Sequence, residues 1–160
     1  MKPSEKLKER RLRSGQSPHE VAASIGISSA EYYDLEGFDD LENAIDLGKI
    51  KDLASVLEIR PAALFSEEIP DEKIGPTELA SRLEKLMRDQ KTDLPQAENI
   101  IGWTLGPFVQ EPESAILAWN VTCLQDVCRA LNCDWLAVLN GIEAQERPSR
   151  SGQAANLPLW

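Results

Sequence analysis

A chain of 160 residues, 42% hydrophobic and 28% charged, has the balance of a folded protein of one or two small domains rather than of a disordered segment. Its 27 acidic residues against 17 Lys and Arg leave a net charge of −10, the opposite of the basic footprint usual in a dedicated nucleic-acid binder. No apolar run approaches the roughly 20 residues that span a bilayer, and Met1–Arg13 is charged throughout with no leader-like apolar stretch, so a cytoplasmic protein without a membrane partner is expected.

Period-two β-branched runs are scarce and helix-spaced apolar positions recur, which predicts an all-α fold. Residues 4–13 set Leu7 and Leu12 among charges. Val21, Ala22 and Ile25 share a face of the next segment. Asp46 can cap a helix that carries Leu47, Ile50, Leu53 and Leu57. Arg60-Pro61 opens a short segment with Leu64 and Phe65. The stretch SEEIPDEKIGP at 66–76, with two prolines, a glycine and four acids, reads as a linker. Thr77 can cap a further helix with Leu79, Leu83, Leu86 and Met87. The chain thus divides into a domain at 1–66, a linker at 67–76, a second helical domain at 77–143 and a mobile tail at 144–160. The terminal Leu157-Pro158-Leu159-Trp160 is apolar and is as readily a frayed end as a docking segment.

Shifting the chain by 74 residues lays 6–65 on 80–139 without a gap. Leu12 then meets Leu86, Ala23 meets Ala97, Ile27 meets Ile101, Asp52 meets Asp126 and Ala63 meets Ala137. The best stretch sets IKDLASVLEIRPAALF (50–65) against LQDVCRALNCDWLAVL (124–139), apolar on apolar almost throughout. Two copies of one five-helix unit is the preferred reading. The alternative is two unrelated helical segments of similar phase.

The segment SPHEVAASIGISSAEYYDLEG (17–37) has the marks of a helix-turn-helix. Ser17 can cap its first helix, with Pro18 at a position that needs no hydrogen bond. Ala22 is small where a second helix must cross closely. Gly26 can take positive φ and end the first helix. Ile27 is apolar after the turn, Ser28 or Ser29 can cap the second helix, and Tyr32 and Leu35 point to the core. With Arg11, Glu36, Gly37 and the later LASVLEI (53–59), residues 4–66 resemble the Cro and phage-repressor helix-turn-helix proteins, the XRE family. The resemblance implies five short helices, two tandem lambda-repressor-like units with the second degenerate, operator binding as a homodimer, and a pairing of Arg11 with Glu36 that ties the first helix to the recognition helix. In the second copy Lys85 and Gln110 replace that pair, the turn falls near Ile100 or Gly102, and Pro107 interrupts the recognition helix.

The helix at about 28–36 is the one that would enter a major groove. The candidate DNA contacts are Ser17, His19, Ser28, Ser29, Glu31, Tyr33 and, on the first helix, Arg13; the motif itself rests on Arg11, Ala22, Gly26, Ile27, Leu35 and Glu36. Serine and tyrosine hydroxyls can bond bases or phosphates, and Glu31 can accept from cytosine. The charges oppose this. Between residues 14 and 48 there is no Lys or Arg but eight acids, and residues 92–128 also lack cations. The family resemblance places a phosphate-clamping glutamine where Pro18 stands. The loop FDDLENAID after the recognition helix is acidic. A typical binder neutralises roughly 6–10 phosphates. The basic cluster of Lys2, Lys6, Lys8, Arg10, Arg11 and Arg13 can reach flanking phosphates or lie as a solvated, ion-paired face. His19 near a phosphate is weighed against an incidental exposed imidazole.

Cys123, Cys128 and Cys133 recur every five residues, which turns a helix by roughly 140° per step, so they are read as separate buried thiols, reduced and metal-free. Trp119 and Trp135 read as core. Trp103, near the second turn, would mark a contact surface if exposed. No phosphate loop, nucleophile–base pair or metal spacing emerges, so neither an enzyme nor a cofactor is expected. The leading expectation is a helix-turn-helix transcription regulator with DNA binding by the helix at about 28–36. The alternative is a protein-interaction module on the same fold whose acidic surface receives a basic or protein partner.

Overall fold

A computed structural model describes residues 1–142. Among these the protein is built of helices and short turns, with no strand. The first half contains α1 (Pro3–Ser14), α2 (Pro18–Ile25), α3 (Ser29–Gly37), α4 (Leu41–Ala44), α5 (Leu47–Val56) and a 3-10 turn at Pro61–Leu64. The second contains α6 (Pro76–Gln90), α7 (Leu94–Ile101), α8 (Gly106–Gln110), α9 (Pro112–Ala115), a 3-10 turn at Ile116–Ala118 and α10 (Val121–Leu131). A last helix, α11, runs over 135–142. Within the described residues no helix is long and apolar enough to cross a membrane. The tail at 144–160, with Leu157–Trp160, lies outside them.

Local chemistry sets most boundaries. Proline stands in the first turn of α1, α2, α6 and α7, where a missing N–H costs nothing. Ser17, Ser28 and Asp93 each accept a hydrogen bond from the backbone N–H three residues on, and Glu20, Glu31 and Gln96 answer by accepting from the cap's own N–H. Gly15 and Gly26 close α1 and α2 at φ of 75° and 76°. Gly102 closes α7 at φ 92°. Thr77 is not the cap of α6. Gly75 is, and Pro76 opens the helix.

One apolar core runs through both halves. Leu7, Val21, Tyr32, Leu47, Ile50 and Leu53 enter it from the first, and Leu79, Leu83, Phe108, Val121, Leu124 and Val127 from the second, all essentially buried. Between the halves the main chain itself is joined. Leu47 N–H donates to the Trp119 carbonyl at 2.7 Å, and Asp46 pairs with Asn120 in an antiparallel bridge. The proline- and acid-rich stretch after Phe65 is packed down as well. Ile74 is buried and its N–H donates to the Ala137 carbonyl at 3.0 Å. The buried Asn140 amide donates to the Pro70 carbonyl at 2.7 Å. Gly141 lies so close beneath that an added Cβ would stand 2.2 Å from the Ile74 carbonyl oxygen.

Trp103 is half-buried, and its indole N–H donates to Asp126 at 2.9 Å. That bond spends its polar end inside the fold, so it is not the exposed contact its place near the turn suggested. Trp135 packs edge-on against Phe65 with centroids 5.5 Å apart. Trp119 packs on Phe108 at 4.6 Å.

A candidate helix-turn-helix interface with an acidic face

α2 and α3 pack directly on one another. Val21, Ala22 and Ile25 of α2 and Tyr32 and Leu35 of α3 turn inward, and Ile27 after the turn is half-buried. Ala22 is 1% exposed. At a crossing that tight a longer side chain would drive the helices apart. α1 closes the back. Arg11 Nε donates to Glu36 Oε2 at 2.5 Å and Arg11 Nη2 to Glu36 Oε1 at 3.1 Å, a two-pronged bond that ties α1 to the end of α3. Arg11 Nη1 also donates to the Gln16 carbonyl. Burial alone would raise the Glu36 carboxyl, but the hydrogen bonds and charge of Arg11 outweigh it and hold the group below its ordinary value. The same bond raises Arg11. The Tyr32 hydroxyl is buried beside this pair without a hydrogen bond of ordinary geometry, and burial pushes its pKa up.

The outward side of α3 is where a major groove would be met. Ser17 and Ser28 are turned to their helix ends as caps, so their hydroxyls accept from Glu20 and Glu31 N–H at 3.1 Å. Glu31 is folded back onto the Ser28 N–H at 3.0 Å. That backbone bond, then the Ser28 hydroxyl, lowers its pKa and keeps it anionic. His19, Ser29 and Tyr33 gather: His19 Nδ1 lies 2.5 Å from Ser29 Oγ, and the imidazole meets the Tyr33 ring edge-on at 6.1 Å. Tyr33 is 52% exposed. Asp34 is exposed beside them.

Positive charge on this side is confined to Lys49, close to Gly26 and Glu31. Lys49 is the first cation after Arg13, and its Nζ donates to the Ile25 carbonyl at 2.6 Å, neutralising the end of α2. Arg13 is solvent-exposed, with a loose 3.8 Å contact to Glu9. Lys2, Lys6 and Arg11 face Asp39, Glu67 and Glu36. Three of the six basic residues of the α1 cluster are thus turned to acids elsewhere in the fold.

Sequence reasoning missed a groove between α3 and α4. Ile27, Leu35 and Ile45 form its apolar floor, and Glu31, Asp34 and Asp40 its rim. Phe38 stands at its edge, 66% exposed. A large aromatic side chain in FDDLENAID, read only as a loop, was the available signal. The short helix α4 forms inside that stretch and makes the second wall.

No protein-family model, curated protein or solved structure matches the chain.

Proposed function

We propose that this protein is a tandem helix-turn-helix protein of Cro and phage-repressor type whose first motif docks a positively charged protein segment rather than duplex DNA. The observation that carries the reading is the cation-free motif. No Lys or Arg occurs from residue 14 to 48, and the next, Lys49, is spent on the end of α2. Phosphate neutralisation supplies most of the non-specific affinity for DNA. A surface carrying Glu31, Asp34, Asp39 and Asp40 would repel the phosphates instead. The groove beside α3 suits a basic amphipathic segment, with apolar side chains against Ile27, Phe38 and Ile45 and cations toward the rim.

The tandem organisation is supported by matched helix ends. Left-handed residues fall at Gly15 and Lys91, at Gly26 and Gly102, and at Glu58 and Asn132. The caps Ser17 and Asp93, and Asp46 and Asn120, follow the same order. The register is 76 residues up to the turn and 74 from α5 onward, so the gapless shift needs a two-residue shortening between them. In this register Met87 stands at the place of Arg11 and Glu98 at that of Ala22. Glu98 accepts from the N–H groups of Leu105 and Gly106 at 2.6 and 3.1 Å, filling the close crossing with a carboxylate. α8 has only five residues. Both features fit a degenerate second motif.

The reading is tested by fluorescence polarisation of the full chain against labelled random-sequence duplex DNA and against a labelled amphipathic Lys/Leu peptide, both at low ionic strength. Peptide binding that Phe38→Ala weakens, with no DNA binding, is the expected result. DNA binding that falls steeply with salt would overturn it. Operator binding by a homodimer remains the second reading, favoured by the exposed His19, Ser29 and Tyr33 cluster on the groove-facing side.

A further inference from the structure

The five-residue spacing of the cysteines separates them only on a continuous helix, and the helix does not continue. α10 ends at Leu131, and Asn132 takes φ 56°. The chain then doubles back: Cys133 N–H donates to the Cys128 carbonyl at 3.0 Å while Asn132 N–H donates to the Arg129 carbonyl. This pair of bonds is the Schellman closure, in which the side chains of the first and last residues meet. The same closure ends α5, where Ile59 N–H bonds the Ala54 carbonyl and Glu58 takes φ 57°. There the meeting residues are alanine and isoleucine. At the end of α10 both are cysteines, joined directly by that main-chain bond. A disulfide needs Cα atoms roughly 4.4–6.8 Å apart, a separation that a direct main-chain hydrogen bond between the two residues favours.

The two thiols have unequal surroundings. Cys128 is 1% exposed, while Cys133 is half-exposed with Arg82 facing it. A partly exposed thiol with a sheltered thiol behind it is the arrangement of attacking and resolving groups in thiol–disulfide exchange. Cys123 is buried on the same helix, and burial pushes its thiol up to about 12.

We propose that Cys133 and Cys128 form a thiol–disulfide exchange site that takes small organic disulfides such as oxidised glutathione. The Cys133 thiolate attacks one sulfur of the small disulfide. The S–S bond breaks, one small thiolate leaves and takes a proton, and Cys133 carries a mixed disulfide. Cys128 then loses its proton and attacks the Cys133 sulfur, and the second small thiol leaves. Two protein thiols have been oxidised to one disulfide, and one small disulfide has been reduced to two thiols.

The neighbourhood favours Cys133 as the group that ionises. Its interaction with the neighbouring Cys128 thiol lowers its pKa, with Arg82 acting in the same direction and burial, Asp134 and Glu72 opposing. The same interaction raises Cys128.

The test incubates the full chain with oxidised glutathione, blocks free thiols by alkylation, and reads intact mass and a peptide map. The wild type is expected to lose two hydrogens and yield a peptide cross-linked between Cys128 and Cys133, with Cys123 alkylated. Cys128→Ala should stop at one glutathione on Cys133, and Cys123→Ala should behave as wild type. Cys133→Ser, at a half-exposed site, should leave both remaining thiols free. Three alkylated thiols in the wild type after incubation would overturn the proposal. So would a cross-link to Cys123, or a Cys128→Ala protein that gains no glutathione. Wild-type peptide mapping requires no substitution and decides the matter even where Cys128→Ala fails to fold.

Discussion

Asp46 caps α5, Asn120 caps α10, and the two residues are bridged to each other. The Asp46 carboxylate accepts from Lys49 N–H and the Asn120 side-chain oxygen from Cys123 N–H, each at 2.8 Å. Their backbones pair antiparallel, and 74 residues separate them. The starts of α5 and α10 are fixed by the same contact that holds the halves together.

That double duty gives a first prediction. Asp46→Ala and Asn120→Ala should each destabilise the fold by about 1 kcal/mol through loss of the cap. The residues touch, so the double variant should depart from the sum of the two. Urea denaturation of the four proteins in the cycle measures this. Strictly additive losses would show that the two caps act independently despite the bridge.

The Arg11–Glu36 pair predicts a pH dependence. Glu36 is held below its ordinary carboxyl value in the folded chain. A lowered folded value means stabilisation that is present above the unfolded pKa of about 4.3 and is lost as pH falls through the folded one. Both side chains are only 9% exposed, so removing one partner strands the other. Glu36→Gln should therefore cost about 3 kcal/mol at neutral pH. The gap between wild type and variant should narrow progressively below about pH 4. Thermal unfolding across that range provides the check. A gap that stays constant down to acid would assign the loss to packing rather than to charge.

Much of the local structure was legible because it depends on single residue types. Ser17, Gly26, Ser28 and Asp46 each satisfy or release a backbone group at a helix end, and a short sequence window contains that logic. The all-α class followed from the spacing of apolar residues. The cysteine pair was hidden. Its geometry depends on Asn132 taking positive φ, a conformation asparagine tolerates without announcing it. The packing of the stretch at 67–76, read as a linker from its prolines, glycine and acids, was not legible because it rests on Ile74 and on Asn140 far along the chain. The groove beside α3 needed α4, whose four residues leave no periodicity to detect.

Gly141 tests that attachment. A methyl group there would meet the Ile74 carbonyl carbon at 2.6 Å and its oxygen closer still. Neither is the movable end of a side chain, so the segment or α11 must shift. Gly141→Ala should cost about 1–3 kcal/mol, the range for overpacked sites. It should also accelerate hydrogen exchange at the Ile74 amide, which donates to Ala137. Unchanged exchange there would mean that the strap yields without releasing its bond.

Charge reversal on α3 separates fold from electrostatics. If the motif is sterically competent and only its charges exclude DNA, altering two side chains should admit it. Asp34→Lys places a cation on the exposed face, and Glu31→Gln keeps the reciprocal bond to the Ser28 N–H while removing its charge. The double variant should bind random duplex DNA weakly at low ionic strength, and the slope of log affinity against log salt should grow by about 0.9 for each phosphate gained. Polarisation across a salt series measures it, with circular dichroism to verify that the helices are intact. A folded double variant that still ignores DNA would place the obstacle in the shape of the surface. Phe38 and the α4 wall, which stand beside α3, would then be the features to remove.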